Sequence, residues 1–374
     1  MKITAIETIV LSIPYTNGGP PTAFVGGSAW TSLQMLLVRV DTDAGISGWG
    51  EPFGHNACHA LKQTIDTMIA PLCIGRDADR IGELMASLQH SLHLFGHGNG
   101  LVAYGLSALD IALWDIAGKQ ANLPLYRMLG GSGRRRVPAY ASLLRYGDPE
   151  LVARNVAAAL ERGYREIKLH EIAVAQVKAA RAAAGEGVPL MLDTNCPWTS
   201  EQAREMARRL GAYDLAWLEE PIFPPEDFAA LAELRKEAPM KLAAGENASW
   251  AGEFKCMLDA RAVDVVQPSV TKVGGISEMQ KVLALAEAYN ATVVPHCAYF
   301  GPGFLATLHL TAVLPAETIF ERLYMDLEAS PYGQATAAVD GYVAVPQGPG
   351  LGHDPDPEVI ERYRVHGAAA VTAS

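Results

Sequence analysis

Cysteine is sparse in this 374-residue chain, with five residues (Cys58, Cys73, Cys196, Cys256 and Cys297) that are odd in number, widely spaced and free of any CxxC pair. That argues for a reduced, cytoplasmic protein. Positive charge is scarce too: 30 Lys and Arg stand against 41 Asp and Glu, a formal net charge of −11, and no long basic run occurs. An extended nucleic-acid footprint is therefore excluded, although a small anion can still bind locally. No apolar stretch reaches about 18 residues, so no membrane-spanning helix is expected. The opening residues alternate like a strand, with no h-region or cleavage site of a signal peptide. What the chain does have is apolar bulk, 49% hydrophobic against 19% charged, too much for a disordered polypeptide. At about 150 residues per domain, the length suggests two domains, or one barrel with an added piece.

From Val137 to about Met325 one unit recurs: a short apolar run, a polar residue at its end, then an amphipathic alanine-rich stretch. The apolar runs are residues 137–143, 164–169, 189–192, 215–218, 241–244, 263–266, 291–295 and 319–320, which predicts eight strands. Strands alternating with helices imply right-handed crossovers and a parallel sheet, and eight units close into an α/β fold of the (β/α)8 barrel type over residues 131–339. An open doubly wound sheet is disfavoured because no glycine fingerprint follows the first strand. Residues 1–130 run strands first and helices second, as in an α+β domain that caps the barrel. The tail, residues 340–374, is expected to complete that first domain, although packing on the barrel is equally allowed.

Chemistry in such a barrel sits where the strands end. Those positions hold Lys168 and His170, Asp193 and Asn195, Glu219 and Glu220, Glu246 and Asn247, Ser269, His296 and Glu321. Steps of 25 residues (Lys168 to Asp193), 26 (to Glu219) and 27 (to Glu246) each span one βα unit, so these side chains share one ring. Three acids on consecutive strands, Asp193, Glu219 and Glu246, repel one another unless a cation compensates them, and an all-oxygen set suits one Mg²⁺ ion. Lys168 and His170 are two apart and point to one side, with Lys168 expected to lower the proton affinity of His170. His296 lies across the barrel from them. Acid/base groups on opposite walls can take a proton from a carbon and deliver one to its other face or to a leaving group.

These residues resemble the enolase superfamily, specifically its mandelate racemase subgroup. The resemblance runs the length of the chain, through Gly48-Trp49-Gly50-Glu51, the segment Ala108 to Asp115, Leu192-Asp193-Thr194-Asn195, Leu218-Glu219-Glu220-Pro221, Gly245-Glu246-Asn247, Lys272-Val273-Gly274-Gly275, Pro295-His296 and Glu321-Arg322-Leu323. It implies that Asp193, Glu219 and Glu246 hold Mg²⁺, that a small carboxylate substrate loses its α-proton to give an enediolate, and that Glu321, when protonated, donates a hydrogen bond to it. It further implies a homo-oligomer and substrate contacts from Asn195 and from capping residues such as Trp30, Phe24 and His55. Two departures stand out. The second-strand pair is Lys-x-His where the subgroup usually has Lys-x-Lys, and Ser269 replaces the aspartate that orients the seventh-strand histidine.

Without that partner, His296 is expected to be a weaker base and a readier acid. This favours a dehydratase (hydro-lyase) of a sugar acid or other small hydroxy carboxylate, with His170, or less favourably Lys168, as the base and His296 as the acid. Ser269 and Lys272 are read as supports of the site. The alternatives are a racemase, epimerase or cycloisomerase using the same enediolate, and a catalytically decayed carboxylate-binding protein. The capping loops are aromatic and poor in cations, which favours a compact, partly apolar or monoanionic acid. His55 with His59, His93 with His97, and Cys297 are read as loop, connector and packing residues.

Overall fold

The structure, a computed structural model, describes residues 1–21, 29–96, 98–131 and 133–366. Its N-terminal region builds on β1 (Ile3–Thr16) and β2 (Ser32–Thr42), paired antiparallel, with β3 (Ser47–Gly50) on the far edge of β2. Their β-branched and leucine-rich stretches bury one face against helices Cys58–Thr64, Ile81–Ser91 and Leu101–Ala121. β3 can approach the last of these only because it carries glycines. A Cβ on Gly50 would meet the Ala108 carbonyl oxygen at 1.8 Å, and one on Gly48 the Ala112 carbonyl oxygen at 2.1 Å.

Leu101–Ala121 is long and apolar enough to cross a membrane, but 78% of its most apolar window is buried inside the protein, as in a core helix. It ends at Asn122, which takes the left-handed conformation (φ 53°) common after helices.

The second region is the barrel. Its strands are β4 (Arg136–Ser142), β5 (Ile167–Leu169), β6 (Leu190–Asp193), β7 (Leu215–Glu219), β8 (Lys241–Ala244), β9 (Val265–Val266), β10 (Thr292–Val293) and β11 (Phe320–Leu323). All pair parallel in chain order, and β11 returns to the free edge of β4. Among the described residues no ladder joins β10 to β11; the Cys297 N–H donates to Glu321 Oε2 at 2.8 Å across that seam. Tyr140, Met191, Trp217, Ala243, Val265 and Val294 plug the barrel interior, a packed core and not a pore.

The chain after β11 touches both regions. β12 (Asp326–Leu327) adds to β1, β13 (Ala338–Val339) and β14 (Tyr342–Ala344) form a hairpin whose second strand runs antiparallel to β4, and helix Pro357–Tyr363 packs on β1. The Val365 N–H closes this return on the Val10 carbonyl at 2.8 Å.

Candidate active site

The strand ends converge as their spacing implies. Lys168 is fully buried, its Nζ 2.7 Å from Glu321 Oε1, 2.8 Å from Glu219 Oε1 and 3.5 Å from Asp193 Oδ2. Ligand atoms of Asp193, Glu219 and Glu246 all lie within 4.8 Å of one another. Three hard oxygen donors at that separation fit one small divalent cation, and their own electrostatics ask for it. Burial, against the pull of Lys168 and with the push of Asp193 and Glu321, raises Glu219 to about 7. Burial raises the other two acids as well, but His170 with Lys168 holds Asp193 below its usual value and His296 with Lys272 holds Glu246 well below it.

Two nitrogens border the triad from different walls. His170 bonds the Leu143 carbonyl through Nδ1, which leaves Nε2 facing Asp193 Oδ2 at 3.1 Å. Because a carbonyl only accepts, Nδ1 must carry the proton. His296 places Nε2 2.9 Å from Glu246 Oε2 and Nδ1 3.3 Å from the Tyr299 hydroxyl, which is bonded in turn to Ser269 Oγ. Glu219 Oε2 accepts from Trp217 Nε1 (2.9 Å) and Gln267 Nε2 (2.8 Å), and the Asn195 N–H donates to Asp193 Oδ1 at 2.9 Å. The backbone around the site is strained: Asn195, Cys196 and Glu220 have φ of 54°, 54° and 46°.

Above this ring lies a cavity of about 530 Å³, lined by His170, Asn195, Glu246, Asn247, Lys272, His296 and Glu321 below and by Trp30, Phe53 and His55 from the cap. Trp30 stacks on His55 at 5.2 Å, and Phe53 meets His55 edge-on at 4.7 Å. Lys272 Nζ sits 4.2 Å over the Phe53 ring and 3.1 Å from Asn247 Oδ1. Burial, with nearby His296 and Lys272, lowers His55 to about 4, so its ring is neutral near pH 7. A larger groove of about 890 Å³, lined by Leu129, Leu283 and Ile319 among others, includes none of these acid/base residues. The smaller cavity, at the C-terminal face where barrel enzymes place their chemistry, is the candidate site.

The sequence matches two family descriptions in succession: "Mandelate racemase / muconate lactonizing enzyme, N-terminal domain" over residues 6–130 and "Enolase C-terminal domain-like" over residues 151–359. The chain belongs to the mandelate racemase / muconate lactonizing enzyme family of the enolase superfamily. An arabinonate dehydratase of Saccharolobus solfataricus is 32% identical over 97% of this chain and 99% of its own. A D-galactarolactone cycloisomerase of Agrobacterium fabrum is 31% identical over 98% and 99%. The crystal structure of a racemase from Streptomyces coelicolor with bound magnesium superposes with a TM-score of 0.85 at 30% identity, covering 97% of this chain and 100% of that one.

Within this family frame the structure corrects three expectations. Glu321 is not a neutral donor: although burial raises its pKa, Lys168 and His296 hold it well below the usual carboxylate range, and both oxygens accept, from Ser142 Oγ (2.7 Å) and the Cys297 N–H. His170 is raised, because Asp193 outweighs both burial and Lys168. His296 does have a carboxylate neighbour, Glu246, but at Nε2; on the side of Ser269 its Nδ1 partner is the Tyr299 hydroxyl.

Phe24 and His97 lie outside the described residues. His59 sits on helix Cys58–Thr64 and His93 bonds the His90 carbonyl at 2.7 Å; neither lines the cavity. Sequence reasoning missed Tyr299 and Trp217, and also Arg145, which donates to the His170 carbonyl at 2.7 Å and the Thr194 carbonyl at 3.1 Å. Only Tyr299 left a usable signal, a polar ring three residues past His296 on a chain segment leaving the barrel.

Proposed function

We propose that this protein is a Mg²⁺-dependent dehydratase of a sugar acid or another small hydroxy carboxylate. The observation that carries the reading is the pair of imidazole nitrogens, His170 Nε2 and His296 Nε2, set at 3.1 Å and 2.9 Å on different members of a convergent acidic triad. Asp193, Glu219 and Glu246 are the residues that hold the ion. Bound there, it supplies positive charge that offsets the negative charge growing on the substrate carboxylate.

The chain's own groups do the rest. His170, its Nδ1 proton tied to Leu143, accepts the α-proton at Nε2, a positioned base worth about 10²- to 10⁴-fold. Lys168 is a poor candidate for that base. Burial lowers its pKa, but Glu219 and Glu321 raise it more, well above an ordinary lysine, and keep it a cation. It serves instead as fixed positive charge beside the reacting carboxylate. His296 protonates the departing β-hydroxyl, and the Tyr299 hydroxyl, able to donate or accept, stays bonded to Nδ1 in either protonation state. Asn195, Trp30 and His55 contact the substrate, while Ser269 and Lys272 brace Tyr299 and Asn247.

Cycloisomerisation through the same α-proton removal is the second reading, favoured by the galactarolactone cycloisomerase among the relatives. A decayed binding protein is disfavoured because both nitrogens and all three acids are retained in working geometry. A panel of hydroxy acids incubated with Mg²⁺ in deuterated buffer tests the proposal. Formation of a 2-keto acid is expected; exchange of the α-proton without water loss would establish the isomerase, and no exchange with any acid would sink both. The five free cysteines, three of them buried, suit a reducing compartment such as the cytoplasm.

A further inference from the structure

The cavity has two unlike walls. Over the middle strands it is polar, with Asn195, Asn247 and Lys272. Over the seventh, eighth and first strands it turns from polar to hydrocarbon in a single period of two residues. Glu321 in β11 is followed on the same side of the strand by Leu323, Met325 lies just past the strand's end, and all three line the cavity. His296 is followed two residues on by Ala298, and Ser142, whose hydroxyl bonds Glu321, by Leu144. On these three strands, one step toward the cap replaces Glu321, His296 and Ser142 with Leu323, Ala298 and Leu144, which offer a hydroxyl no side-chain partner.

This wall is rigid. Leu144, Leu323 and Met325 are 5%, 7% and 3% exposed, and they share an apolar cluster with Ile9, Leu11 and Ile13 of the cap sheet. They cannot swing aside for a polar substituent without opening that core. Phe53, contributed by the cap, continues the apolar surface.

We propose that the substrate is one-sided: a 2,3-dihydroxy monocarboxylic acid whose hydroxyls lie along one edge and whose remote end is deoxy, alkyl, aryl or closed into an anhydro ring, in preference to a fully hydroxylated aldonic acid. The inference rests on the dehydratase reading and narrows it to a class. A hydroxyl pressed against Leu323 and Met325 loses its water without gaining a partner. An apolar pocket rejects an added hydroxyl by up to about 10²-fold, which sets the scale of the effect.

The test uses the Mg²⁺-loaded enzyme and pairs of acids matched in configuration: 2,3-dihydroxybutanoates against 2,3,4-trihydroxybutanoates, and 6-deoxyhexonates against hexonates. Readouts are 2-keto acid formation and α-proton exchange in deuterated buffer. The deoxy member of a turned-over pair is expected to have a kcat/KM about 10- to 100-fold higher. Turnover with equal or reversed preference overturns the one-sided substrate while leaving the dehydratase reading intact, and absence of exchange with every acid overturns both. Met325→Gln and Leu323→Gln, each checked by thermal melting, should bring the preference at least several-fold closer to unity. A folded Met325→Gln protein with an unchanged ratio would place the tail elsewhere and refute the assignment.

Discussion

The barrel rim and the cap contribute opposite kinds of chemistry to one cavity. From the rim come four carboxylates, two lysines and two imidazoles within a few ångströms of each other; the cap supplies Trp30, Phe53 and a neutral His55. The rim groups stand on or next to hydrogen-bonded strands buried on both faces, which hold like charges together at fixed separations. Trp30 and Phe53 stand on loops, and His55 opens a single 3-10 turn, His55–Ala57, with a positive φ of 38°. Reaction type is thus assigned to the charged groups of the rim, and substrate choice to what surrounds them, the cap loops and the apolar residues Leu144, Leu323 and Met325 just beyond the rim.

The comparison breaks most visibly if the acids are removed. Asp193→Asn, Glu219→Gln and Glu246→Gln should each reduce turnover by about 10³-fold or more, since several kcal/mol of charge stabilisation is lost. Each should also abolish the rise in melting temperature that Mg²⁺ is expected to give the unaltered protein. A Mg²⁺ shift retained by all three would dismiss the triad as the ion site.

His296→Asn separates the two imidazoles. Loss of 2-keto product by about 10²- to 10⁴-fold is expected, with α-proton exchange persisting through His170. Equal loss of both signals would assign both proton transfers to one residue. Tyr299→Phe tests the positioning of His296 by a smaller step: removal of one hydrogen bond should lower dehydration about tenfold, with KM within about twofold and exchange nearly unchanged. A parallel fall in exchange would show a wider structural role.

A separate effect, on stability and not on turnover, concerns the joint between the two regions. Glu51, just after β3, is buried against the start of helix Pro302–Ala312, where it accepts the Gly303 N–H at 2.9 Å. Burial raises it to about 8. Its folded pKa exceeds the unfolded value near 4.5, so between about pH 4.5 and 8 the native state binds the extra proton and stability falls as pH rises, by up to roughly 1.4 kcal/mol per unit. Glu51→Gln should flatten that slope in denaturant melts, leaving stability near pH 4.5 little changed. A slope that persists in the variant would locate the titration elsewhere.

Much of the site was legible because a repeating βα unit turns sequence spacing into angular position. Asp193, Glu219 and Glu246, one unit apart, could be placed on one ring without coordinates, and the three converge. Tyr299 could not be placed this way, since it belongs to the irregular segment after β10, where no period constrains direction. The state of Glu321 was equally hidden, because it depends on Lys168 from a distant strand pair lying 2.7 Å away. The helix Leu101–Ala121 shows the converse: its mean hydropathy suits a membrane span, Asp110 and Asp115 interrupt the apolar run, and burial against the cap sheet places it in the core.

Local sequence, then, determined the barrel, the cap and which acids share a rim, because hydrophobic period and unit length are properties of the chain itself. Folding decided which proton each acid and base keeps and where the cavity wall turns from polar to apolar. Those outcomes arise from charges and side chains far apart in sequence meeting at short range, where desolvation and Coulomb terms of several kcal/mol compete and separation in space, not along the chain, sets the winner.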